Sequence, residues 1–158
     1  MSKSVKKVRA EAEELGLTIT IEQTEDQTRT AQQAADYVGC HVDQIGKSIL
    51  IAGAETGQIH LFLTPGGRTV DLNKAAKVMG EETTKADAAQ VRAVTGFAIG
   101  GVSPIGHVTK IAVWTCPELL EFDQIWVAAG TPHHLFKIDP KVLNKAIKAK
   151  TVYFLQEI

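Results

Sequence analysis

Residues 48–63 of the chain read SILIAGAETGQIHLFL, two short apolar runs joined by a polar segment with a glycine at each end. Both runs are rich in isoleucine, leucine and phenylalanine, and turn-forming residues separate them, which is typical of two strands of a β-hairpin. We therefore predict strands at residues 48–52 and 59–63, connected by a hairpin turn at residues 53–57.

Helices and further strands are predicted on both sides of this hairpin. The first helix has an apolar face at residues 5, 8, 12 and 15, and Gly16 is its predicted stop. Side chains that cap helix N-termini predict four further starts, at Thr30, Asp71, Asp87 and Asp139. Apolar patterning predicts other strands at residues 17–21, 108–114, 124–129, 135–138 and 151–155. This mixed order indicates an α/β or α+β fold with one central sheet.

The composition is that of an ordinary globular protein, with 44% hydrophobic and 22% charged residues. A length of 158 residues predicts one domain, residues 1–158, with a substantial core. No apolar run approaches the roughly 20 residues that span a bilayer, and no secretory signal is recognised. The two cysteines are far apart and predicted to be reduced. We therefore expect a cytoplasmic protein that does not associate with membranes.

The formal net charge of −1 lacks the overall basic character of many nucleic-acid-binding proteins. It argues against DNA as a partner, although a local basic patch can still bind nucleic acid. Such a patch is offered by lysines four and three residues apart near the C-terminus, which suit either phosphate contacts or a solvated helix face. These are Lys141, Lys145 and Lys148.

A glycine-rich loop at residues 100–106, GGVSPIG, is the first candidate functional element. Glycine lets a ligand approach the main chain closely, and proline stiffens the turn. Such a loop can present backbone N–H groups to a carbonyl, carboxylate or phosphate, or it can be a simple tight turn. It has neither the ending of a P-loop nor the GxGxxG pattern at the start of a long helix, which disfavours nucleotide hydrolysis and dinucleotide binding.

Lys47, at the start of the first hairpin strand, is the second candidate. A lysine pointing into a pocket there could hold a phosphate, polarise an ester carbonyl or stabilise a developing oxyanion. The alternative is a lysine at the exposed end of a strand.

The third candidate is the segment AAGTPHH at residues 128–134, which places two histidines after a bend. Histidine is well suited to proton transfer near neutral pH. Adjacent side chains on an extended chain point in different directions, so at most one of the two faces a pocket. The segment lacks the ligand spacing of a metal site, and we predict neither a metal nor another cofactor.

Nucleophilic catalysis by the protein is disfavoured. The chain has no GxSxG elbow, and Cys40 and Cys116 are predicted to be small core residues. A hydrolase built on this sequence would position water or use a hydroxyl group of its substrate.

In combination and order, these three motifs resemble the YbaK/prolyl-tRNA-synthetase editing-domain family. The motifs are a lysine in a KSIL context, a GGxSP loop and a late GxxxH, and similarity also runs through residues 68–74, 95–97 and 119–123. The resemblance covers nearly the whole chain from about the second helix onward.

The resemblance implies a mixed, barrel-like sheet flanked by helices and a free-standing aminoacyl-tRNA deacylase, typically acting on tRNA for proline. It implies catalytic roles for Lys47 and His134, and binding of the aminoacyl group by the two glycine loops. The implied binding residues are Gly100, Gly101, Val102, Ser103, Pro104 and Gly130. The expected partners are aminoacyl-tRNA and prolyl-tRNA synthetase.

The resemblance also bears on the amino acid removed. The cysteine-specific branch of the family usually has a different sequence after the equivalent of residues 129–130, so we favour a small residue such as alanine, with serine, threonine and cysteine as alternatives. A synthetase rejects a smaller amino acid poorly, because a missing methylene group is worth only about 1–3 kcal/mol, and a second hydrolytic site corrects the error. Two other functions stay open at this point: a non-catalytic module that binds tRNA or a synthetase, and a hydrolase of small acyl esters.

Overall fold

The computed structural model describes residues 2–25 and 28–158, in which a single mixed sheet carries the fold. Its strands run in the spatial order β1-β7-β6-β2-β3-β5-β8, with β4 also paired to β2. The predicted mixed sheet flanked by helices is confirmed. The strands are β1 (Ile21–Gln23), β2 (Ile45–Gly53), β3 (Ile59–Pro65), β4 (Thr83–Lys85), β5 (Ala112–Thr115), β6 (Ile125–Ala128), β7 (His134–Ile138) and β8 (Lys150–Thr151).

The helices begin where the capping residues predict. Thr30 forms a capping box with Gln33, and the three aspartates accept hydrogen bonds from the first backbone N–H groups of their helices. None of the helices in the described parts of the chain is long and apolar enough to cross a membrane. The helices are α1 (Lys3–Glu14), α2 (Ala31–Val38), α3 (Leu72–Met79), α4 (Ala88–Thr95), α5 (Pro117–Leu120) and α6 (Pro140–Ile147), with a 3-10 turn at Val42–Gln44.

The predicted hairpin is the centre of the sheet. Strands β2 and β3 pair antiparallel from Gly46 opposite Pro65 to Ala52 opposite Ile59. Phe62 of β3 is completely buried, and its ring meets that of Phe154 edge to face at 5.1 Å between centroids. This packing fixes β3, and with it the hairpin, against the main core.

Three predicted strands are shorter or displaced, because the backbone of those segments bonds elsewhere. Leu17 N–H donates to the Ala12 carbonyl and so closes the end of α1. The N–H groups of residues 108 and 109 bond the last turn of α4. Near the C-terminus, the Phe154 carbonyl accepts from Asp71 N–H at the start of α3. Alternating apolar residues therefore do not mark a continuous strand in these segments, although Leu155 forms an isolated antiparallel bridge with Val70.

One edge of β2 is incompletely paired, and this positions the functional site. On that edge β6 pairs with residues 45 and 46 only, and β4 with residues 51–53 only. Among the described residues, no strand covers residues 47–50 on this side. The sheet therefore splits at Lys47.

Candidate functional site

A cleft of about 470 Å³ opens where the sheet splits. Strand β2 contributes Lys47 and Ile49, and the residue 100–106 loop contributes Gly100 and Val102. The bend before β7 adds Pro132, and the start of α2 forms the remaining side. The structure thus brings together Lys47 and both glycine loops, which lie more than 50 residues from it in the sequence.

The ammonium group of Lys47 is held from the side of the β3 turn. Its Nζ donates a hydrogen bond to the Gly66 carbonyl at 3.2 Å. Burial lowers the pKa of Lys47, and the carboxylate of Asp43 partly opposes that shift. Asp43 in turn accepts a hydrogen bond from Gly67 N–H at 2.8 Å. The lysine is a half-buried, oriented cation and not a freely solvated strand end.

Gly66 also helps to form the site, although it was not singled out from the sequence. A Cβ at this position would collide with the Val42 carbonyl oxygen and lie 2.8 Å from the Ala31 Cβ. The chain therefore needs glycine here to bring the carbonyl to Lys47. The feature of the sequence that could have indicated this role is the pair of glycines directly after a buried strand.

The two glycine loops are packed backbone against backbone. A Cβ at Gly101 would lie 2.6 Å from the Thr131 Cα and 2.7 Å from its carbonyl carbon. Gly100 has a φ of +93°, in the region that favours glycine, and the neighbouring Val102 is almost fully buried. This contact fixes the distance between two walls of the cleft.

Ser103 and Pro104 lie behind the loop and do not line the cleft. Ser103 is completely buried, and its Oγ accepts a hydrogen bond from Ile105 N–H at 3.2 Å. Its carbonyl oxygen lies 2.6 Å from Nε2 of His107. Both residues shape the loop in this structure, and their predicted contact with a substrate stays a prediction.

Gly130 and His134 are close to the cleft but not among the residues that line it. A Cβ at Gly130, whose φ is +104°, would lie 2.8 Å from the carbonyl carbon of Ser4. His134 Nδ1 lies 2.6 Å from Thr131 Oγ1, and burial, followed by the nearby His133, lowers the pKa of its imidazole. The lining position on β7 belongs instead to Leu135. A catalytic role for His134 remains a prediction.

The lysines near the C-terminus are exposed and also lie outside the cleft. Lys141 and Lys145 are on α6, but the helix ends at Ile147. Lys148 is in the left-handed conformation with a φ of 56°. The helical spacing therefore relates only the first two lysines, and binding of tRNA by any of the three remains untested.

The cleft offers few types of side chain that could take part in a reaction. Its lining is largely apolar, and among the described residues that form it there is no carboxylate, histidine or cysteine. Cys116 is completely buried elsewhere in the core, and burial raises its pKa to about 12, so its thiol is protonated. Two cations, Lys47 and Arg29, remain beside threonine and serine hydroxyl groups and the backbone of the loops. This combination stabilises negative charge developing on a carbonyl oxygen.

Ile49 was not singled out from the sequence, although a signal was present. It lies two residues after Lys47 on β2, and side chains two apart on a strand share a face. Any pocket that Lys47 enters is therefore bordered by Ile49.

The chain matches known proteins over most of its length. The sequence pattern of a family described as the aminoacyl-tRNA editing domain matches residues 25–146. A crystal structure described provisionally as a trans-editing enzyme for prolyl-tRNA synthetase superposes with a TM-score of 0.93, is 37% identical and covers 99% of each chain. A protein of Enterococcus faecalis named provisionally as the Cys-tRNA(Pro)/Cys-tRNA(Cys) deacylase EbsC is 27% identical over 115 residues, 72% of this chain and 70% of its own. The uncharacterised YwhH of Bacillus subtilis is 27% identical over 142 residues, 90% of each chain.

Proposed function

The chain belongs to the aminoacyl-tRNA editing domain family, and from this we propose that its 158 residues form one deacylase domain that removes a small amino acid, alanine above all, from mischarged tRNA for proline. Deacylation of aminoacyl-tRNA is the activity supported at the level of the family. The observation that carries the proposal is the cleft in which an oriented lysine faces two glycine loops.

The reaction is the hydrolysis of an ester. Water attacks the carbonyl carbon of the aminoacyl group, and the bond from that carbon to the ribose oxygen breaks. The ribose oxygen leaves as a hydroxyl group and the amino acid as a carboxylate. Lys47 stabilises the negative charge that develops on the carbonyl oxygen, and the glycine loop holds the acyl group against it.

No side chain that lines the described cleft is suited to act as a general base at neutral pH. The proton of the attacking water is therefore passed to solvent or relayed through the neighbouring hydroxyl of the terminal ribose to the leaving oxygen. The acid that forms releases its own proton to solvent and becomes the carboxylate. A strong protein nucleophile is not needed, because an ester of a sugar hydroxyl has an adequate leaving group. The protein contributes by positioning the ester and stabilising charge.

The lining of the cleft favours alanine as the amino acid removed. Ile45, Ile49 and Val102 contribute aliphatic surface, with Ala128 and Leu135 opposite. A methyl group suits this aliphatic surface, whereas a hydroxyl group placed on it loses hydrogen bonds to water unless it reaches one of the hydroxyl side chains that also line the cleft. These are Thr28, Thr30 and Ser48. Serine, threonine and cysteine are therefore predicted to be poorer acyl groups.

A substrate panel tests both activity and preference. We expect Ala-tRNA(Pro) to be deacylated about tenfold faster than Ser-, Thr- or Cys-tRNA(Pro), as the cost of burying one hydroxyl in an apolar site suggests. The measurement is the release of labelled amino acid under matched conditions, with enzyme-free tRNA as the control. A preference for cysteine or threonine would overturn the assignment of alanine, and binding without turnover would indicate a non-catalytic module.

The state of Lys47 predicts a pH dependence. Because burial lowers its pKa, the ammonium loses its proton at a lower pH than an exposed lysine, whose pKa is about 10.4. The charged form is the active one, so the enzyme-dependent rate falls as the pH rises through the lowered pKa. Asp43 raises that pKa, and Asp43→Asn should move the fall to a still lower pH.

Rates for the wild type and Asp43→Asn, corrected for spontaneous hydrolysis at each pH, measure this shift. The asparagine keeps an oxygen that can accept the Gly67 hydrogen bond, so the loop is retained. Superimposable profiles for the two proteins would exclude Lys47 as the titrating group.

The rest of the proposed substrate lies outside the cleft. Lys141, Lys145 and Lys148 are proposed to contact tRNA phosphates, since all three are exposed. We also propose that the enzyme works in the cytoplasm beside prolyl-tRNA synthetase, whose errors it corrects.

A further inference from the structure

A second cleft, of about 500 Å³, adjoins the first one across strand β2. Lys47 and Ile49 line both clefts and so form the ridge between them. On the far side of this ridge, the second cleft is floored by aliphatic side chains and has the volume of an ordinary small-molecule site, roughly 300–1,000 Å³. The aliphatic side chains are Ile49, Leu50, Ile51, Val70 and Leu72.

The charges around the second cleft are of one sign. Lys47, Arg68 and Lys85 line it, and among the described lining residues none is acidic. Arg68 is oriented by a hydrogen bond from its guanidinium to the Gln156 carbonyl at 3.0 Å. An apolar floor with a cationic rim is complementary to a ligand that combines a flat apolar ring with a phosphate.

The position of Lys47 between the two clefts indicates which ligand the second cleft binds. If the ester carbonyl is held at Lys47 with its acyl group in the first cleft, the second cleft is directly beside the ester, because Lys47 lines both clefts. We propose that the second cleft binds the 3′-terminal nucleoside of the tRNA, with the base on the aliphatic floor and its 5′-phosphate toward Arg68 and Lys85. This inference rests on the proposed deacylase function and assigns the second half of the same substrate.

Leu72 is a suitable position for a test. It is 58% exposed at the first residue of α3, so a change there leaves the core intact. Leu72→Glu places a negative charge in the second cleft. The helix itself is not expected to be destabilised, because an acidic residue suits the first turn of a helix. The matched control is Val142→Glu, a 47% exposed residue in the first turn of α6 that lines neither cleft.

Two esters of the same amino acid separate the base from the rest of the substrate. One is 3′-alanyl-adenosine 5′-monophosphate, and the other is the alanyl ester of 1,4-anhydroribitol 5-phosphate, a ribose phosphate without its base. We expect the wild type and Val142→Glu to prefer the nucleotide ester by about tenfold or more in kcat/KM, the gain expected when a face of the base is buried on aliphatic side chains. Leu72→Glu should lose most of that preference, through a lower kcat/KM for the nucleotide ester.

Unchanged preference in Leu72→Glu would overturn the inference and leave the deacylase function intact. If the wild type hydrolyses no aminoacyl ester, the proposed function fails, and binding decides the inference alone. In that case, adenosine 5′-monophosphate is titrated into methyl-labelled protein. Shifts at Ile49 and Ile51 that Leu72→Glu abolishes would support a nucleoside site, and an unshifted wild-type spectrum would overturn it.

Discussion

Lys47→Ala is expected to lower the enzyme-dependent rate of aminoacyl-tRNA deacylation by about a hundredfold or more, the usual effect of removing a group that stabilises an oxyanion. The reason is that Lys47 is the cation at the point where the sheet splits, held there by the Gly66 carbonyl. The loss should be in kcat more than in KM, because the charge it stabilises exists only in the transition state.

Two controls show whether a loss of rate is specific to Lys47. Lys77→Ala removes a lysine that is exposed on α3 and lines neither cleft, and it should retain the wild-type rate. Thermal unfolding of both variants checks that they are folded. Full activity in a folded Lys47→Ala protein would remove this residue from the mechanism.

Gly101→Ala is expected to have the second-largest effect, through the backbone contact between the two glycine loops. The added Cβ would lie 2.6 Å from the Thr131 Cα, and backbone on both sides leaves no flexible side chain to yield. Overpacking of this kind costs about 1–3 kcal/mol, and the loops must separate to relieve it. We expect a melting temperature lower by several degrees and a deacylation rate lower by about tenfold even where the protein is folded, since a misplacement near 1 Å costs rate.

Gly39→Ala is a control that separates the effect of lost stability on the rate from the effect of a changed cleft. Gly39 has a φ of +77° with no atom within 4 Å of the added Cβ, and it lies outside the lining of the cleft. Alanine there costs about 1–2 kcal/mol through its backbone conformation alone, so this variant should be destabilised yet active. If Gly101→Ala behaves in the same way, the contact between the loops does not set the geometry of the site.

Local chemistry in the sequence predicted much of the fold. The hairpin of β2 and β3 follows from two apolar runs and a glycine-containing turn. The helix starts follow from side chains that cap nearby backbone groups, as in the box formed by Thr30 and Gln33. Signals of this kind act within a few residues, so they can be recognised without the tertiary structure.

Features that depend on distant pairing could not be predicted in the same way. Strand β4 is three residues long and exists through its pairing with the end of β2. The unpaired edge at residues 47–50 is set by where β4 and β6 stop, which no pattern within β2 reveals. The second cleft depends on this edge and was likewise not predicted.

For the site itself, the sequence predicted Lys47 and the two glycine loops, and the structure brings them to one cleft. It could not decide which residue of a short strand faces that cleft. Leu135 lines it, while the adjacent His134 bonds Thr131, because neighbouring side chains on a strand point to opposite faces. The orientation was set by how β7 pairs with β1 and β6.

The central claim is that this cleft hydrolyses the ester of a mischarged tRNA. Its most direct test is the single-turnover release of alanine from Ala-tRNA(Pro) by the wild-type protein in excess, compared with Lys47→Ala at the same concentration. We expect rapid release by the wild type and a rate close to spontaneous hydrolysis with the variant. Release by the wild type no faster than without enzyme, or equally fast release by both proteins, would contradict it.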